Sequence, residues 1–251
     1  MRGLIFPLFL FGSVIPRGEG TVGVDVSQSI STSTWECLET PGGQGSIEFA
    51  IPRIYRSSGS VDPNGAATIS NAVAAGIKNV DGYIFPCVSC GDAAGQVSDA
   101  VASIKGSGYG MVWYDIENYK WSTSTSANQA FVEEMITEGL KLGVSAGIYT
   151  TYYNWESIVG LDYDYPSSIG LPLWYAHYDN SASFSDYTAF GGWSSPAIKQ
   201  YIGDATSCSV GVDYNYYPSA ALFDQVREEA AARQRTAARD LFNVTEAWET
   251  I

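Results

Sequence analysis

Eight short apolar segments recur along the chain, and their alternation with helical or polar segments limits the fold more than any other feature. Each segment is rich in β-branched and aromatic residues and is bounded by turn-forming residues, as strands are. The segments span residues 21–27, 49–55, 80–86, 110–117, 145–151, 173–178, 198–202 and 210–215. Pro52 interrupts the second segment, which predicts a bulge or an exposed edge there.

Helical spacing is clear in three of the intervening segments, 66–75, 93–104 and 126–142. Gly76 and Gly143 follow the first and last of these, as is typical where helices end. The other connections are too short or too irregular for full helices. The pattern predicts an α/β fold, a single (β/α)8-type barrel with several helices reduced or missing. A chain of 251 residues has a usual length for one such domain.

The two ends of the chain differ from its middle. Residues 1–20 start with Met1-Arg2 and contain an apolar run, which predicts a signal peptide or leader. We expect the barrel over residues 21–221. Residues 222–251 form an extension with strong helix propensity, either a closing helix or one held loosely on the surface. A glycosylation sequon at Asn243 is usable only after export.

Acidic residues lie late in three of the predicted strands. Asp25 is in the first strand, Asp115 and Glu117 end the fourth, and Asp213 is in the eighth. In a barrel of this type the carboxyl ends of the strands form the active-site face. The first and eighth strands are neighbours in a closed barrel, so Asp25 and Asp213 should approach each other. Asp115 and Glu117 are two residues apart and should project from one face of their strand.

Two carboxylates held together at a buried strand end favour acid–base chemistry. Burial and mutual repulsion should raise the pKa of one carboxyl and leave that of the other low. Glycoside hydrolysis needs this division, with a protonated acid for the leaving oxygen and a carboxylate beside the forming cation. An isolated Asp-x-Glu pair would also fit a strand end at the surface, where water solvates both acids. Four acids that converge on one mouth favour a catalytic site.

The charge of the chain excludes several partners. Its 27 acidic and 13 basic residues give a formal net charge of −14. This argues against nucleic acid and against anionic membrane surfaces as partners. It also predicts that the protein works in acid, where carboxylates are partly protonated. The single histidine, His177, argues against a zinc site, and we expect no metal, no cofactor and a monomer.

Five motifs combine strand positions with acidic or aromatic residues. They are Gly23-Val24-Asp25-Val26-Ser27, Trp113-Tyr114-Asp115-Ile116-Glu117, Gly147-Ile148-Tyr149-Thr150, Leu173-Trp174-Tyr175-Ala176 and Val212-Asp213-Tyr214-Asn215. Together they resemble the glycoside hydrolase family 25 lysozymes. Cys87-Val-Ser-Cys90-Gly91, Trp174-Tyr-Ala-His-Tyr178-Asp-Asn180 and Phe190-Gly-Gly-Trp193 point within that family to the branch found in nematodes and amoebae. The resemblance runs from about residue 21 to residue 218.

The resemblance implies muramidase activity, which is hydrolysis of the β-1,4 bond between N-acetylmuramic acid and N-acetylglucosamine in peptidoglycan. It implies that Glu117 is the general acid and that Asp115 orients or stabilises the N-acetyl group of the substrate. The acids of the first and last strands fall on Asp25 and Asp213. A substrate-assisted route with retention follows from these roles, and an inverting route stays open.

The four cysteines indicate two disulfides in an oxidising compartment. Cys87 and Cys90 also have the spacing of a redox or metal motif, but zinc would need a second pair. Four cysteines allow three pairings. Because the first and eighth strands are neighbours, we expect Cys37, after the first strand, to pair with Cys208, before the eighth. Cys87 would then pair with Cys90.

Aromatic residues are abundant, with 17 Tyr and 7 Trp, and their flat faces suit pyranose rings. Five of them lie in or at the ends of predicted strands and are candidates for stacking against sugar rings. They are Tyr55, Tyr83, Tyr149, Trp174 and Tyr178. Core packing would explain the same residues equally well. Arg53 could contact a substrate carboxylate or form an ion pair.

These features lead to one main interpretation and two alternatives. The main one is a secreted or lysosomal, including phagosomal, muramidase that acts on peptidoglycan glycan strands in antibacterial defence or digestion. The first alternative is a glycosidase that cleaves chitin or another N-acetylhexosamine polymer. The second is a carbohydrate-binding barrel without catalysis, against which the full set of four acids argues.

Overall fold

The computed structural model describes residues 20–40 and 47–242. Ten strands are present in these ranges, and most of them are short. The strands are β1 (Thr21–Val26), β2 (Phe49–Arg56), β3 (Ser60–Val61), β4 (Asn79–Val80), β5 (Gly82–Ile84), β6 (Val112–Asp115), β7 (Ala146–Thr150), β8 (Leu173–Ala176), β9 (Ile198–Ser207) and β10 (Val210–Tyr217). The predicted third strand is divided in two, because Asp81 separates β4 from β5.

Eight of these strands close into a barrel. Their order is β1-β10-β9-β8-β7-β6-β5-β2, and pairing of β1 with β2 completes the ring. All neighbours in the ring are parallel except β10, which is antiparallel to both β1 and β9. The α/β barrel prediction is therefore confirmed. The antiparallel direction of its last strand was not predicted.

Helices occupy most of the connections on the outside of the barrel. They are α1 (Thr32–Glu39), α2 (Gly65–Ala75), α3 (Ala93–Ser103), α4 (Thr125–Leu142), α5 (Tyr152–Ile158) and α6 (Tyr165–Ser168), while α7 (Ala220–Phe242) follows the last strand. Gly76 and Gly143 end α2 and α4 in the left-handed conformation, as their positions predicted. No helix lies between β8 and β9 or between β9 and β10, so the expected reduction of helices is also confirmed.

Residues of several barrel strands alternate between two cores. The inner core is small and aromatic, and it contains Phe49, Trp113, Tyr149 and Trp174. The outer core lies between the strands and the helices and holds most of the aliphatic side chains. Each such buried side chain contributes about 1.5–3 kcal/mol of transfer free energy. The aromatic inner core fills the barrel below the acid residues.

Strand β2 contains an irregularity that affects which residues face the inside of the barrel. Pro52 is buried and pairs with Val26, so β2 lies inside the ring and the predicted exposed edge is wrong. The register against β5 shifts between Arg53 and Tyr55, which agrees with the predicted bulge. This shift interrupts the in–out alternation, and Tyr55 joins the outer core.

Helix α7 closes the end of the barrel opposite the acids. Phe223 stacks on Tyr217 with ring centroids 4.3 Å apart. Arg227 pairs with the buried Asp81 at 3.0 Å. Gln234 is fully buried and bonds both the N–H and the carbonyl of Ala146, at the start of β7. The extension is therefore a packed closing helix as far as residue 242.

Two disulfides are present. Cys37 in α1 is bonded to Cys208 at the tip of the β9–β10 hairpin, which confirms the expected long-range pair. Cys87 is bonded to Cys90 across a single 3-10 turn. The predicted leader up to residue 19 and the sequon at Asn243 lie outside the described residues. Among the helices that the structure describes, none is long and apolar enough to cross a membrane.

Candidate active site

The four predicted acids meet at the carboxyl ends of the parallel strands. Asp25 and Asp213 are direct partners in the pairing of β1 with β10. Because β10 is antiparallel, Asp213 reaches the mouth from the first half of its strand and not from its end. Asp115 is the last residue of β6, and Glu117 lies two residues beyond it. Tertiary contacts hold this short exit from β6, since the Thr150 hydroxyl donates to the carbonyl of Ile116 at 2.7 Å.

Asp25 is fixed by two buried amides. The side-chain N–H groups of Gln200 and Asn215 both donate to its Oδ1, each at 2.7 Å. Gln200 also lies 3.4 Å from Oδ2 of Asp213. The other oxygen of Asp213 accepts the backbone N–H of Asp204 at 2.6 Å. The two acids are therefore anchored by donors from β9 and β10.

Asp115 is anchored less completely. Its side chain is buried, and its Oδ1 is a buried oxygen with no hydrogen-bond partner in the structure. Such an atom costs about 1–3 kcal/mol unless a ligand or water satisfies it. The folded chain therefore supplies no hydrogen-bond donor to this oxygen.

Three of the five nominated aromatics lie at the acids. The Tyr149 and Tyr178 hydroxyls donate to Oε1 of Gln200 at 2.7 and 2.9 Å. Tyr178 is 57% exposed and stands at the rim. Tyr83 lines the small cavity that also contains Asp25 and Asp213.

The other two nominated aromatics lie elsewhere. Trp174 is only 1% exposed, packs edge-on against Trp113 and Tyr149, and donates from Nε1 to Asn215 at 2.7 Å. Its faces are covered by the inner core, because β8 turns this residue into the barrel below the mouth. Tyr55 is turned outward by the irregularity in β2. Neither ring is open to a sugar at the mouth.

Comparison with known proteins agrees with this geometry. A sequence model of the family described as "Lysozyme-like protein 1" matches residues 18–201. The chain is 44% identical over 223 residues to Lysozyme-like protein 5 of Caenorhabditis elegans, covering 87% of this chain and 100% of that protein. It is 46% identical over 199 residues to Probable GH family 25 lysozyme 2 of Dictyostelium discoideum, with coverage of 78% and 90%. The chain belongs to the glycoside hydrolase family 25 lysozymes.

The fold is shared with a solved lysozyme at low sequence identity. The bacterial lysozyme from Streptomyces coelicolor aligns with a TM-score of 0.66 and 23% identity, over 85% of this chain and 98% of that chain. The family expectation is confirmed, and the protein is a glycoside hydrolase of the lysozyme type.

Burial raises the pKa of all four acids of the enzyme. Loss of water, reinforced by repulsion from Asp213, raises the pKa of Asp25 well above its usual range. Burial, then Glu117, then Asp25 raise the pKa of Asp115 in the same way. The pKa of Glu117 is raised by burial and by Asp213, and that of Asp213 is raised mainly by burial.

The expected division into one raised and one low pKa is wrong for this site. All four carboxyls are withdrawn from water, and Arg53 is the cation that lowers the pKa of Asp115, by less than burial raises it. Arg53 is already engaged, since its Nε donates to Asp62 at 2.9 Å and its NH2 group to the Ser27 carbonyl at 2.9 Å. The arginine is therefore ion-paired.

Sequence reasoning missed Gln200 and Asn215. Both are almost fully buried, and both donate to Asp25 from the inner face of the barrel. A signal was present for Asn215, because it lies two residues after Asp213 and so shares its face of the strand. Gln200 offered only a weaker signal, an amide within the short predicted strand 198–202, which also contains Lys199.

A second polar cluster lies outside the barrel, beside the mouth. His177, Asp179 and Asp186 offer the ligand types that metal ions use. The ammonium of Lys199, however, lies 2.7 Å from both aspartates, and His177 contacts Asp186 at 2.5 Å. The ammonium of the buried Lys199 thus takes the place that a metal ion would need between the two aspartates, and the cluster is an ion-pair network.

Proposed function

We propose that this enzyme is an N-acetylmuramidase that hydrolyses the β-1,4 bond between N-acetylmuramic acid and N-acetylglucosamine in bacterial peptidoglycan. One observation carries the proposal. A buried oxygen of Asp115 without a partner stands next to Glu117, whose pKa is raised by burial and by Asp213. This pair supplies a hydrogen-bond acceptor for the substrate and a proton donor at the same strand end.

In the proposed reaction Glu117 is the general acid. It gives its proton to the glycosidic oxygen as the bond from that oxygen to the anomeric carbon breaks. A raised pKa favours the protonated form of Glu117, which this role requires. The resulting carboxylate then accepts a proton from the water that completes hydrolysis.

Asp115 positions the substrate's own nucleophile in this scheme. Its free Oδ1 accepts the acetamido N–H, and this turns the acetamido carbonyl oxygen toward the anomeric carbon. Attack by that oxygen forms a cyclic intermediate, and water opens it with net retention. Asp25 and Asp213 contribute through their charges in this scheme. Asp213 raises the pKa of Glu117, and Asp25 raises that of Asp115.

Three alternatives predict different outcomes. An inverting route would instead activate a water through a more distant acid, and the anomer released first, read by NMR, decides between the routes. A chitin-cleaving enzyme would turn over N-acetylglucosamine polymers in preference to peptidoglycan. A carbohydrate-binding barrel would bind glycans without turnover.

The deciding experiment compares peptidoglycan and chitin oligomers as substrates of the wild type and Glu117→Gln, from about pH 3 to pH 8 around the reference carboxyl pKa values. Release of reducing muramic acid ends by the wild type, lost by about 10²–10⁴-fold in Glu117→Gln, supports the proposal. Glu156→Gln is the matched control, because Glu156 is an exposed glutamate on α5. Equal activity of wild type and Glu117→Gln would overturn the role of Glu117.

The cellular setting is part of the proposal. The predicted leader and the two disulfides support export to an oxidising space, either secretion or delivery to a lysosome or phagosome, for defence against bacteria or their digestion. We expect a monomer that acts on glycan strands. Sequencing of the mature N-terminus from culture medium and light scattering of the purified enzyme test these two points. A retained leader or a stable dimer would contradict them.

A further inference from the structure

A β-bulge lies in the β9–β10 hairpin directly opposite Asp213. Two residues of β9, Gly203 and Asp204, face this single residue of β10, because the register shifts between Val212 and Tyr214. A bulge leaves its extra residue unpaired in the ladder and can redirect the groups that this residue carries. The hairpin thus places an additional backbone N–H beside one of the four acids.

The extra residue has a backbone conformation that is uncommon outside glycine. The φ angle of Asp204 is 55°, in the left-handed region, which aspartate and asparagine tolerate better than other L-residues. Its N–H donates to Oδ1 of Asp213 at 2.6 Å, whereas Gln200 lies 3.4 Å from the other oxygen. Asp204 is exposed, so packing of its side chain in a core does not account for this conformation.

We propose that Asp204 is a positioning residue for the hydrolytic reaction, whose left-handed backbone directs its N–H onto Asp213 and so fixes the orientation and the charge of that acid. The inference rests on the proposed function, since it takes Asp213 as a partner of Glu117 in that reaction. It assigns the role to the backbone of Asp204, and the Asp204 carboxylate is not needed for it.

Asp204 has two opposite effects on the pKa of Asp213. Burial raises this pKa most, the hydrogen bond from the Asp204 N–H lowers it, and the Asp204 carboxylate raises it. Next to burial, repulsion from Asp213 is what raises the pKa of Glu117. The N–H of Asp204 therefore favours the charge on Asp213 that keeps Glu117 protonated.

The other titratable groups around Asp213 do not favour its charged form. They are Asp25 on β1, Tyr83 on β5, Glu117 beyond β6 and Tyr178 in the loop after β8. All of them are carboxylic acids or phenols, whose ionised forms would repel a second negative charge. A hydrogen bond from a backbone N–H is the kind of interaction that can stabilise a carboxylate in such surroundings.

The test compares three replacements that all remove the carboxylate. Asp204→Gly, Asp204→Ala and Asp204→Val differ in how well they tolerate the left-handed backbone, which glycine adopts freely and valine resists most. Relative to Asp204→Gly, kcat/KM on peptidoglycan should fall by about tenfold in Asp204→Val, with Asp204→Ala between them. The alkaline limb of the pH–rate profile should move to lower pH in the same order, because Asp213 would be less charged and would raise the pKa of Glu117 less.

The same hairpin offers a matched control. Ser209 also has a left-handed backbone, with a φ of 64°, but it lies at the hairpin tip. Ser209→Val introduces the same strain away from the acids and should leave kcat/KM and the pH–rate profile as in the wild type.

A second measurement does not depend on turnover. A ¹³C NMR titration of the carboxyl groups, with Asp213 assigned by means of Asp213→Asn, follows its ionisation in each folded variant. The pKa of Asp213 should be higher in Asp204→Ala and Asp204→Val than in Asp204→Gly. If Asp204→Val does not fold, the comparison of Asp204→Gly with Asp204→Ala decides.

Two results would overturn the role of Asp204. These are an Asp213 titration and kcat/KM that are the same in the glycine and alanine variants, and a loss of activity in Ser209→Val equal to that in Asp204→Val. Failure of the proposed function is a separate result. If the wild type does not turn over peptidoglycan and the Asp213 titration still differs between the variants, the role of the Asp204 N–H stands and the muramidase proposal falls.

Discussion

Gln200 donates from its amide N–H to Oδ1 of Asp25 at 2.7 Å, while its Oε1 accepts the hydroxyls of Tyr149 and Tyr178. The amide therefore has a single orientation. It connects the acids at the floor of the site to the aromatic rim, and it does so from a fully enclosed position on β9.

Replacing this amide should impair catalysis without removing an acid. Gln200→Leu loses a donor to an anchored carboxyl and leaves two hydroxyls unsatisfied, so kcat/KM should fall by about 10- to 100-fold, the equivalent of roughly 1.5–3 kcal/mol. Gln200→Glu adds a carboxylate beside Asp25, which should raise the pKa of the neighbouring acids and move the pH–rate profile upward. Steady-state kinetics across pH measure both effects. An unchanged profile in Gln200→Glu would show that Gln200 does not position the acids.

Replacing Asp115 by asparagine should make the enzyme more stable and less active. Asp115→Asn removes a buried acid whose Oδ1 has no partner, and it relieves repulsion with Glu117 and Asp25. We expect the free energy of unfolding to rise by about 1 kcal/mol, or Tm by about 2–4 °C, while kcat falls by about 10²–10³-fold. Calorimetry and peptidoglycan turnover on the same preparation measure the two quantities. A less stable variant with full activity would contradict both expectations.

The acids should also make the enzyme more stable in mild acid. All four have a raised folded pKa, so the folded state binds more protons than the unfolded state between the two values. Their stabilising contribution is complete below the unfolded pKa of about 4 and is lost as pH rises through the folded pKa. Asp186 works in the opposite direction, because Lys199 and His177 lower its pKa.

Thermal unfolding from about pH 4 to pH 8 checks this dependence, since the unfolded carboxyl pKa values lie at its lower end. Tm should fall toward the alkaline end in the wild type and fall less steeply in Asp115→Asn. The rate profile should peak below neutrality, because activity is lost as Glu117 ionises. A Tm that is flat or rises toward pH 8, or an activity optimum at or above neutrality, would remove the acid-compartment hypothesis.

The two disulfides should differ in their effect on stability. Cys37–Cys208 joins residues 171 positions apart, whereas Cys87–Cys90 joins residues 3 apart. In the chain-entropy model, loss of the long link costs about 5 kcal/mol and loss of the short link about 2 kcal/mol. Denaturant unfolding of the two Cys→Ser double variants compares them. Equal losses would mean that loop closure does not set the contribution of the Cys37–Cys208 link.

The long disulfide also bears on the site. It secures the tip of the β9–β10 hairpin, whose base carries Asp213 and Gln200. Loss of Cys37–Cys208 should therefore lower kcat as well as Tm. The Cys87–Cys90 double variant serves as the internal control, and a drop in kcat in both variants would argue against a local effect.

The sequence by itself determined most of the elements and the family. Short apolar runs located the strands, glycines marked the ends of α2 and α4, and the spacing of Asp115 and Glu117 placed both acids at one strand end. These features are local, since they depend on the periods of strand and helix and on the conformational freedom of glycine. The motifs also indicated the family, which the comparisons confirmed.

Only the tertiary structure decided which side chains face the site and what holds them. The antiparallel direction of β10, the outward turn of Tyr55 and the burial of Trp174 follow from register and closure of the barrel. Gln200 and Asn215 reach Asp25 across 175 and 190 residues of chain. Local periodicity carries no information on such contacts, because strand pairing brings the partners together only when the barrel closes.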